Sequence, residues 1–205
     1  MNLEKLIEMF LKFPGVGPRQ ARRFVYFLAG ENKGFVDSLS KLIAEIKSGM
    51  RQCESCFHYF EQGNLEVSLP SGSKTSKCKI CAGIGRDVSL LMVVEKDVDL
   101  ENIERTRVFN GRYFVLGGVV ELNGGGKTEN VRLKELFEKV KKEKPREVIL
   151  ATGATTEGES TNLYIKRLLE PLGVKITKLG RGLSTGAELE YSDSDTIENA
   201  LENRK

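Results

Sequence analysis

Four cysteines stand in two equal pairs, Cys53-x-x-Cys56 and Cys78-x-x-Cys81. Two residues between thiols let both sulfurs of one turn reach a single ion, and a second such turn completes a tetrahedral sulfur site. Four sulfurs leave no open position for an activated water, so the expected ion is a structural Zn2+. A redox pair or four unrelated thiols would not require two pairs of equal spacing. His58, the single histidine, follows Cys56 by two residues. With four thiolates available, it is expected on the knuckle or the surface rather than on the ion.

A second constellation is Phe13-Pro14-Gly15-Val16-Gly17-Pro18-Arg19-Gln20-Ala21. It has the pattern of a helix-hairpin-helix turn: an apolar residue, proline, glycine, an apolar residue and glycine, leading into a second helix. Gly15 and Gly17 let backbone amides approach a phosphate closely, and the helix N-terminus adds positive potential. Arg19 and Arg23 lie four apart on that helix, where one face could line a phosphate backbone. The alternative is a tight turn flanked by solvated arginines. The glycine pattern favours DNA, read through its backbone rather than its bases.

Carboxylates form the third. Val93-Val94-Glu95 ends an apolar run, with Asp97 and Asp99 close behind, and Ala151-Thr152-Gly153-Ala154-Thr155-Thr156-Glu157-Gly158-Glu159 runs from a second apolar run into a helical pattern. This arrangement resembles a Toprim domain, whose catalysis relies on a glutamate after the first strand and an Asp-x-Asp pair after a later one. Glu95 matches the glutamate, but Gly153 and Thr155 stand where the aspartates would be. A divalent ion then loses most of its oxygen ligands, and two-metal phosphoryl chemistry is hard to assemble. Gly124-Gly125-Gly126-Lys127-Thr128 ends like a phosphate-binding loop, but the glycine it needs five residues before Gly126 is Glu121. It is expected to be a glycine loop, with Lys127 free to face DNA. Leu189-Glu190-Tyr191-Ser192-Asp193 imitates a Walker B strand, and without the loop it does not make an ATPase.

The elements that must position these groups fall into three stretches. Apolar spacings of three and four predict helices over Asn2–Lys12, Arg19–Leu28 and Phe35–Lys47. Cys53–Cys81 has little periodicity and a Ser71-Gly72-Ser73-Lys74 middle, so a metal is needed to order it. Beyond Asp87, strand-like runs at Leu90–Val94, Tyr113–Leu116, Val148–Ala151 and Val174–Leu179 alternate with helical patterns at Asn130–Lys142 and Ser160–Leu169. Such alternation predicts a mostly parallel sheet with covered faces. Asp195–Arg204 could form a short final helix.

The 205 residues are 40% hydrophobic and 30% charged, an ordinary globular composition, and the net charge of +3 is too mild to announce a nucleic-acid binder. Distribution says more: nine basic against five acidic residues precede Cys53, a local excess that attracts polyanions. Glu4, Lys5, Glu8 and Lys12 interrupt the apolar N-terminal stretch, so neither a signal-peptide core nor a membrane span fits, and a cytoplasmic protein is expected. Thiols stay reduced there, which again favours metal over disulfides.

The order helix-hairpin-helix, four-cysteine knuckle, degenerate Toprim and short tail resembles the bacterial recombination mediators of the RecR family over nearly the whole chain. The specific strings are Cys78-x-Ile80-Cys81 with Arg86-Asp87, Val93-Val94-Glu95, Gly111-x-Tyr113-x-Val115-Leu116-Gly117-Gly118 and Glu147-Val148-Ile149-Leu150-Ala151-Thr152. Glu157-Gly158-Glu159 and Gly182-Leu183-x-x-Gly186-x-x-Leu189-Glu190-Tyr191 complete the set. The resemblance implies a non-enzymatic protein, forming rings that encircle DNA and acting with RecO, and in some settings RecF, to load RecA at single-stranded gaps. It implies DNA contacts at Arg19 and Arg23 in the hairpin, and RecO or DNA contacts on an acidic Toprim face at Glu95, Asp99, Glu157 and Glu159. One departure is the stretch between Cys56 and Cys78, longer than is usual for the family, which bears on the knuckle's shape and not on its ligands.

The expected architecture is an α/β multidomain chain: a helix-hairpin-helix DNA-binding domain (1–52), a four-cysteine zinc finger (53–84), a Toprim-like α/β domain (85–180) and a C-terminal segment (181–205). The knuckle would fix one domain against the next or stabilise the protomer. Expected partners are duplex, gapped or single-stranded DNA, RecO, in some settings RecF, and further copies of the chain as a dimer or tetramer, with no membrane. Two rival functions are a Toprim-type nuclease or primase-like enzyme using Glu95, Glu157 and Glu159 with magnesium, and a zinc-ordered module that binds only protein.

Overall fold

A computed structural model describes residues 3–61, 76–120, 131–180, 182–183, 185–186 and 188–204. The Ser71–Lys74 stretch and the Gly124–Thr128 loop with Lys127 lie outside the described residues. The chain divides into two compact units, Met1–Arg51 and Gln52–Lys205.

The first unit is helical, with α1 (Leu3–Phe10), α2 (Pro18–Gly30) and α3 (Lys33–Gly49). Its buried residues are few: Ile7, Ala21 and Val25, joined by partly buried Leu3, Phe10 and Val16. Phe10 closes the α1–α2 pair edge-on against Phe24, ring centroids 5.5 Å apart. Asn32 caps α3 by accepting a hydrogen bond from the Phe35 N–H at 2.9 Å. Helix α3 buries none of its residues, and Leu42, Ile43 and Ile46 on its apolar stripe are all exposed.

The short β1 (Met50–Gln52) falls on the boundary in the chain between the units; in the second, β2 (Tyr59–Glu61) and α4 (Lys79–Ala82) frame the cysteines. The α/β part then runs β3 (Asp87–Val94), α5 (Asp97–Thr106), β4 (Gly111–Val115), α6 (Leu133–Glu143), β5 (Glu147–Ala151), α7 (Thr156–Leu169) and β6 (Lys175–Lys178). The last described helix is α8 (Ser194–Glu202). The strands form one sheet in the order β4-β3-β5-β6, and every neighbouring pair is parallel.

Both faces of this sheet are covered, which is why β3 reads as a continuous apolar run rather than an alternation. Leu91 and Val93 point to one side, packed with Phe114, Leu136, Val140 and Ile165. Met92 and Val94 point to the other, packed with Leu100, Tyr113 and Val115. Helix α5 carries Leu100 into the second cluster, while α6 and α7 line the first. Parallel strands all end at one edge of the sheet, and that edge carries Glu95 after β3 and Thr152-Gly153 after β5.

Candidate functional site

The two cysteine turns meet in one buried cluster. Cys53 and Cys56 are fully buried, Cys78 and Cys81 almost so, and the four sulfurs lie within 4.8 Å of one another. Tetrahedral zinc at its usual sulfur distance separates its ligands by about 3.8 Å, so the arrangement fits one ion. Cys56 Sγ and Cys78 Sγ are already 3.5 Å apart. The Cys78 backbone N–H donates to Cys53 Sγ at 3.3 Å, a contact that favours a thiolate. An ion held there has four sulfur ligands and no place for a substrate.

The knuckle is bonded to the sheet beside it. Phe57 adopts a left-handed φ of 63°, unusual for a bulky side chain. Its ring is held edge-on by Phe114 at 5.3 Å and covered by the Arg132 guanidinium at 5.2 Å. The Val115 N–H donates to the Cys56 carbonyl at 2.9 Å, and Arg132 Nη1 donates to the Val115 carbonyl at 3.1 Å. Lys139 Nζ donates to Ser55 Oγ at 3.0 Å.

His58 is a knuckle residue, with Nδ1 2.9 Å from Asp97 Oδ1. The same oxygen accepts from the Tyr59 N–H at 2.8 Å. The Asp97 hydrogen bond raises the imidazole above its ordinary pKa despite burial. Burial alone would raise Asp97, but the bonds from His58 and Tyr59 hold it below its usual value. Asp97 thus joins the knuckle to the first turn of α5.

At the sheet edge, Glu95 and Asp99 line a cavity of about 290 Å³ together with Lys96, Asn102, Thr152 and Gly153. Lys96 Nζ lies 2.6 Å from Glu95 Oε1. Asp99 Oδ2 accepts from the Lys96 N–H at 2.9 Å, capping α5. Glu159 lines a different recess with Ser160, Leu163, Lys166 and Lys178, and it is paired with Lys178. Glu157 is exposed in the first turn of α7. Of the four acidic residues expected on one face, Glu95 and Asp99 share a cavity, Glu159 lines a different recess and Glu157 is exposed.

Helix α7 starts very close to the loop before it. A Cβ on Gly158 would lie 2.0 Å from the Gly153 carbonyl oxygen, so only glycine fits there. Thr155 caps the helix, its Oγ1 accepting from the Gly158 N–H at 3.1 Å.

In the first unit, Gly15 has a φ of 76°, the left-handed conformation that the hairpin turn needs. Gly17 is the N-cap of α2, at an ordinary φ of −88°, with open space where a Cβ would stand. No acidic residue lies in the first turn of α2; Arg19 stands in that turn and Arg22 and Arg23 follow it, all three exposed. Ala21 and Val25, on the opposite side of the turn, are buried.

Residues that reading the chain did not single out are Lys96, Arg132, Lys139 and the fit of Gly158. Lys96 could have been suspected from its place beside Glu95, and Gly158 from standing in the first turn of a helix. Arg132 and Lys139 carried no local signal.

A covered parallel sheet with a glutamate beyond β3, and a four-cysteine knuckle bonded to its edge, define a Toprim-fold protein with a zinc-finger-type cluster. The sequence matches the Toprim domain family over residues 89–180 and the RecR C-terminal family over residues 182–205. It is 37% identical over 203 residues to a protein of Acidothermus cellulolyticus named recombination protein RecR, covering 99% of this chain and 96% of that one. It is 38% identical over 205 residues to the protein of that name from Chlorobium phaeobacteroides, covering 98% and 95%. The chain belongs to the RecR family of recombination proteins. Among the described residues, no helix is long and apolar enough to cross a membrane.

Proposed function

We propose that this protein is a DNA-binding recombination mediator in DNA repair, holding one structural zinc ion through Cys53, Cys56, Cys78 and Cys81. The observation that carries the reading is end-to-end similarity to recombination proteins in a chain whose hairpin leaves its backbone open. Nothing among the described residues demands glycine at position 17, since its φ is ordinary and its Cβ site is empty. The absence of a side chain at that position lets a phosphate approach the backbone N–H groups at the start of α2 more closely. Arg19 and Arg23 stand exposed on the same helix to hold the neighbouring phosphates.

The protein acts without catalysis, because Gly153 and Thr155 supply no carboxylate where a Toprim enzyme holds metal. It works as a cytoplasmic clamp with RecO, and with RecF in some settings, to load RecA at single-stranded gaps. Its parts are the hairpin domain (1–52), the finger (53–84), the Toprim domain (85–180) and the C-terminal segment (181–205). The exposed stripe on α3 supports assembly into a dimer or tetramer, since a soluble protomer rarely leaves such a row uncovered.

The test is binding to gapped duplex DNA across a salt series. Arg19→Ala with Arg23→Ala should nearly abolish binding at moderate salt and lower the salt slope by about 2. Binding and slope equal to those of the unmodified protein would sink the hairpin assignment.

A further inference from the structure

Toprim enzymes hold a divalent cation at the sheet edge that carries Glu95, and the residues present here do not fit one. Glu95 is the carboxylate that reaches the loop after β5 most closely at Gly153, its Oε2 standing 3.5 Å from where a Gly153 Cβ would lie, with no other carboxylate oxygen within 4 Å of that point among the described residues. Its Oε1 is taken by Lys96 Nζ at 2.6 Å. Asp99 spends an oxygen on the Lys96 backbone N–H. The Thr155 hydroxyl accepts from Gly158 N as the cap of α7. The oxygens a cation would need are thus absent or belong to groups already engaged.

The glycine at 153 is not imposed by the backbone. It lacks a left-handed φ, and an added Cβ would meet Glu95 Oε2 at 3.5 Å and Thr155 Cγ2 at 3.9 Å, both ordinary contacts. The fold therefore retains room for a second carboxylate beside Glu95, and the cavity of about 290 Å³ stands beside that room. An ammonium tethered one residue along the chain needs no recruitment from solution, and it repels a divalent ion that approaches the same oxygens.

We propose that Lys96 is the resident cation of this centre, taking against Glu95 the place of the divalent ion, so that this protein keeps its Toprim face intact without metal. In a separate recess Glu159 is likewise paired with a lysine, Lys178. This inference rests on the Toprim fold and not on the DNA-binding reading. Failure of the hairpin test leaves it standing, and its own failure leaves the hairpin untouched.

The experiment uses the zinc-loaded full chain, with Mn2+ as the probe and its free-ion electron paramagnetic resonance signal as the readout. Three proteins are compared: the unmodified chain, Gly153→Asp, and Gly153→Asp with Lys96→Ser. Far-UV circular dichroism and thermal melts confirm that each is folded, and Lys96→Ser alone, at an exposed position, serves as a further variant. The expected result is negligible Mn2+ uptake by the unmodified chain and weak uptake by Gly153→Asp. Adding Lys96→Ser should tighten binding at least about tenfold, and Glu95→Gln should abolish that gain. Lys96→Ser alone should bind Mn2+ more tightly than the unmodified chain. Equal binding with and without Lys96, in both backgrounds, would overturn the proposal. So would Glu95-dependent uptake of one Mn2+ by the unmodified chain.

Discussion

Replacing Gly158 by alanine sets two effects of opposite sign against each other. In an ordinary helix the change stabilises by about 0.5–1 kcal/mol, because glycine loses more backbone freedom on folding. Here the new Cβ would stand 2.0 Å from the Gly153 carbonyl oxygen and 3.0 Å from its carbon. Non-bonded carbon and oxygen do not approach within about 3.0 Å, so α7 or the 152–155 loop must move by roughly 1 Å. Overpacking of this kind costs about 1–3 kcal/mol. The movement also pulls the Gly158 and Glu159 N–H groups from Thr155, at 3.1 and 2.9 Å, and a lost cap costs about 1 kcal/mol. The clash wins, with a net loss of about 1–3 kcal/mol.

Urea titration of the zinc-loaded chain, followed by far-UV circular dichroism, measures that loss, and thermal melting should show a fall of about 2–10 °C. Gly49→Ala is the control, since a Cβ there meets nothing within 4 Å and propensity acts alone. If Gly158→Ala proved as stable as the unmodified protein, or more so, the start of α7 would not be fixed against the loop and the reasoning would fail.

Three further outcomes are expected. Burial would raise the Glu104 carboxyl, but bonds from Arg86 hold it below its ordinary 4.5, so its contribution to stability is present above about that pH and is lost as pH falls through the depressed value. Glu104→Gln should therefore lower the melting temperature at pH 7 and flatten its acid decline, and parallel pH profiles for the two proteins would contradict this. Chelating the ion, or Cys56→Ser, should release about one equivalent of zinc per chain and lower the melting temperature by more than about 10 °C, because the binding free energy is folding free energy; a chelated protein that melts unchanged would remove the ion from the fold's support. Leu42→Asp on the uncovered stripe of α3 should reduce the molecular mass in solution without lowering protomer stability, and light scattering that shows no change in mass would exclude that stripe as a contact between copies.

The periodic and apolar parts of the fold were legible for physical reasons that can be named. β3 shows as an apolar run because both sheet faces are buried. Its fuller extent, from Asp87, was hidden because the first residues pack less tightly. α7 begins at Thr156, before the helical pattern does, because Thr155 and Gly158 start it through a cap and a close approach rather than an apolar stripe. α5 escaped notice altogether: it buries Leu100 alone, and its Asp97 and Asp99 drew attention only as carboxylates close behind Glu95. In the fold both work as anchors, Asp99 on the backbone of Lys96 and Asp97 on the knuckle. The cysteine cluster was legible in its spacing, and the fold brings the four sulfurs within 4.8 Å of one another. The groups that bind the knuckle to the sheet, Arg132 and Lys139, come from a distant helix and its approach, and only the folded chain brings them there.

That attachment bears on more than the knuckle's own order. Among the described residues β4 is an outermost strand of its sheet, and such a strand normally offers free backbone groups to any passing chain. At Val115 both are occupied, the N–H by the Cys56 carbonyl and the carbonyl by the Arg132 guanidinium. The cysteine turn is in effect a stopper on an adhesive border. Were the cysteine turn to come away, the Val115 N–H would lose its partner, and that point of the border would stand open to strand addition.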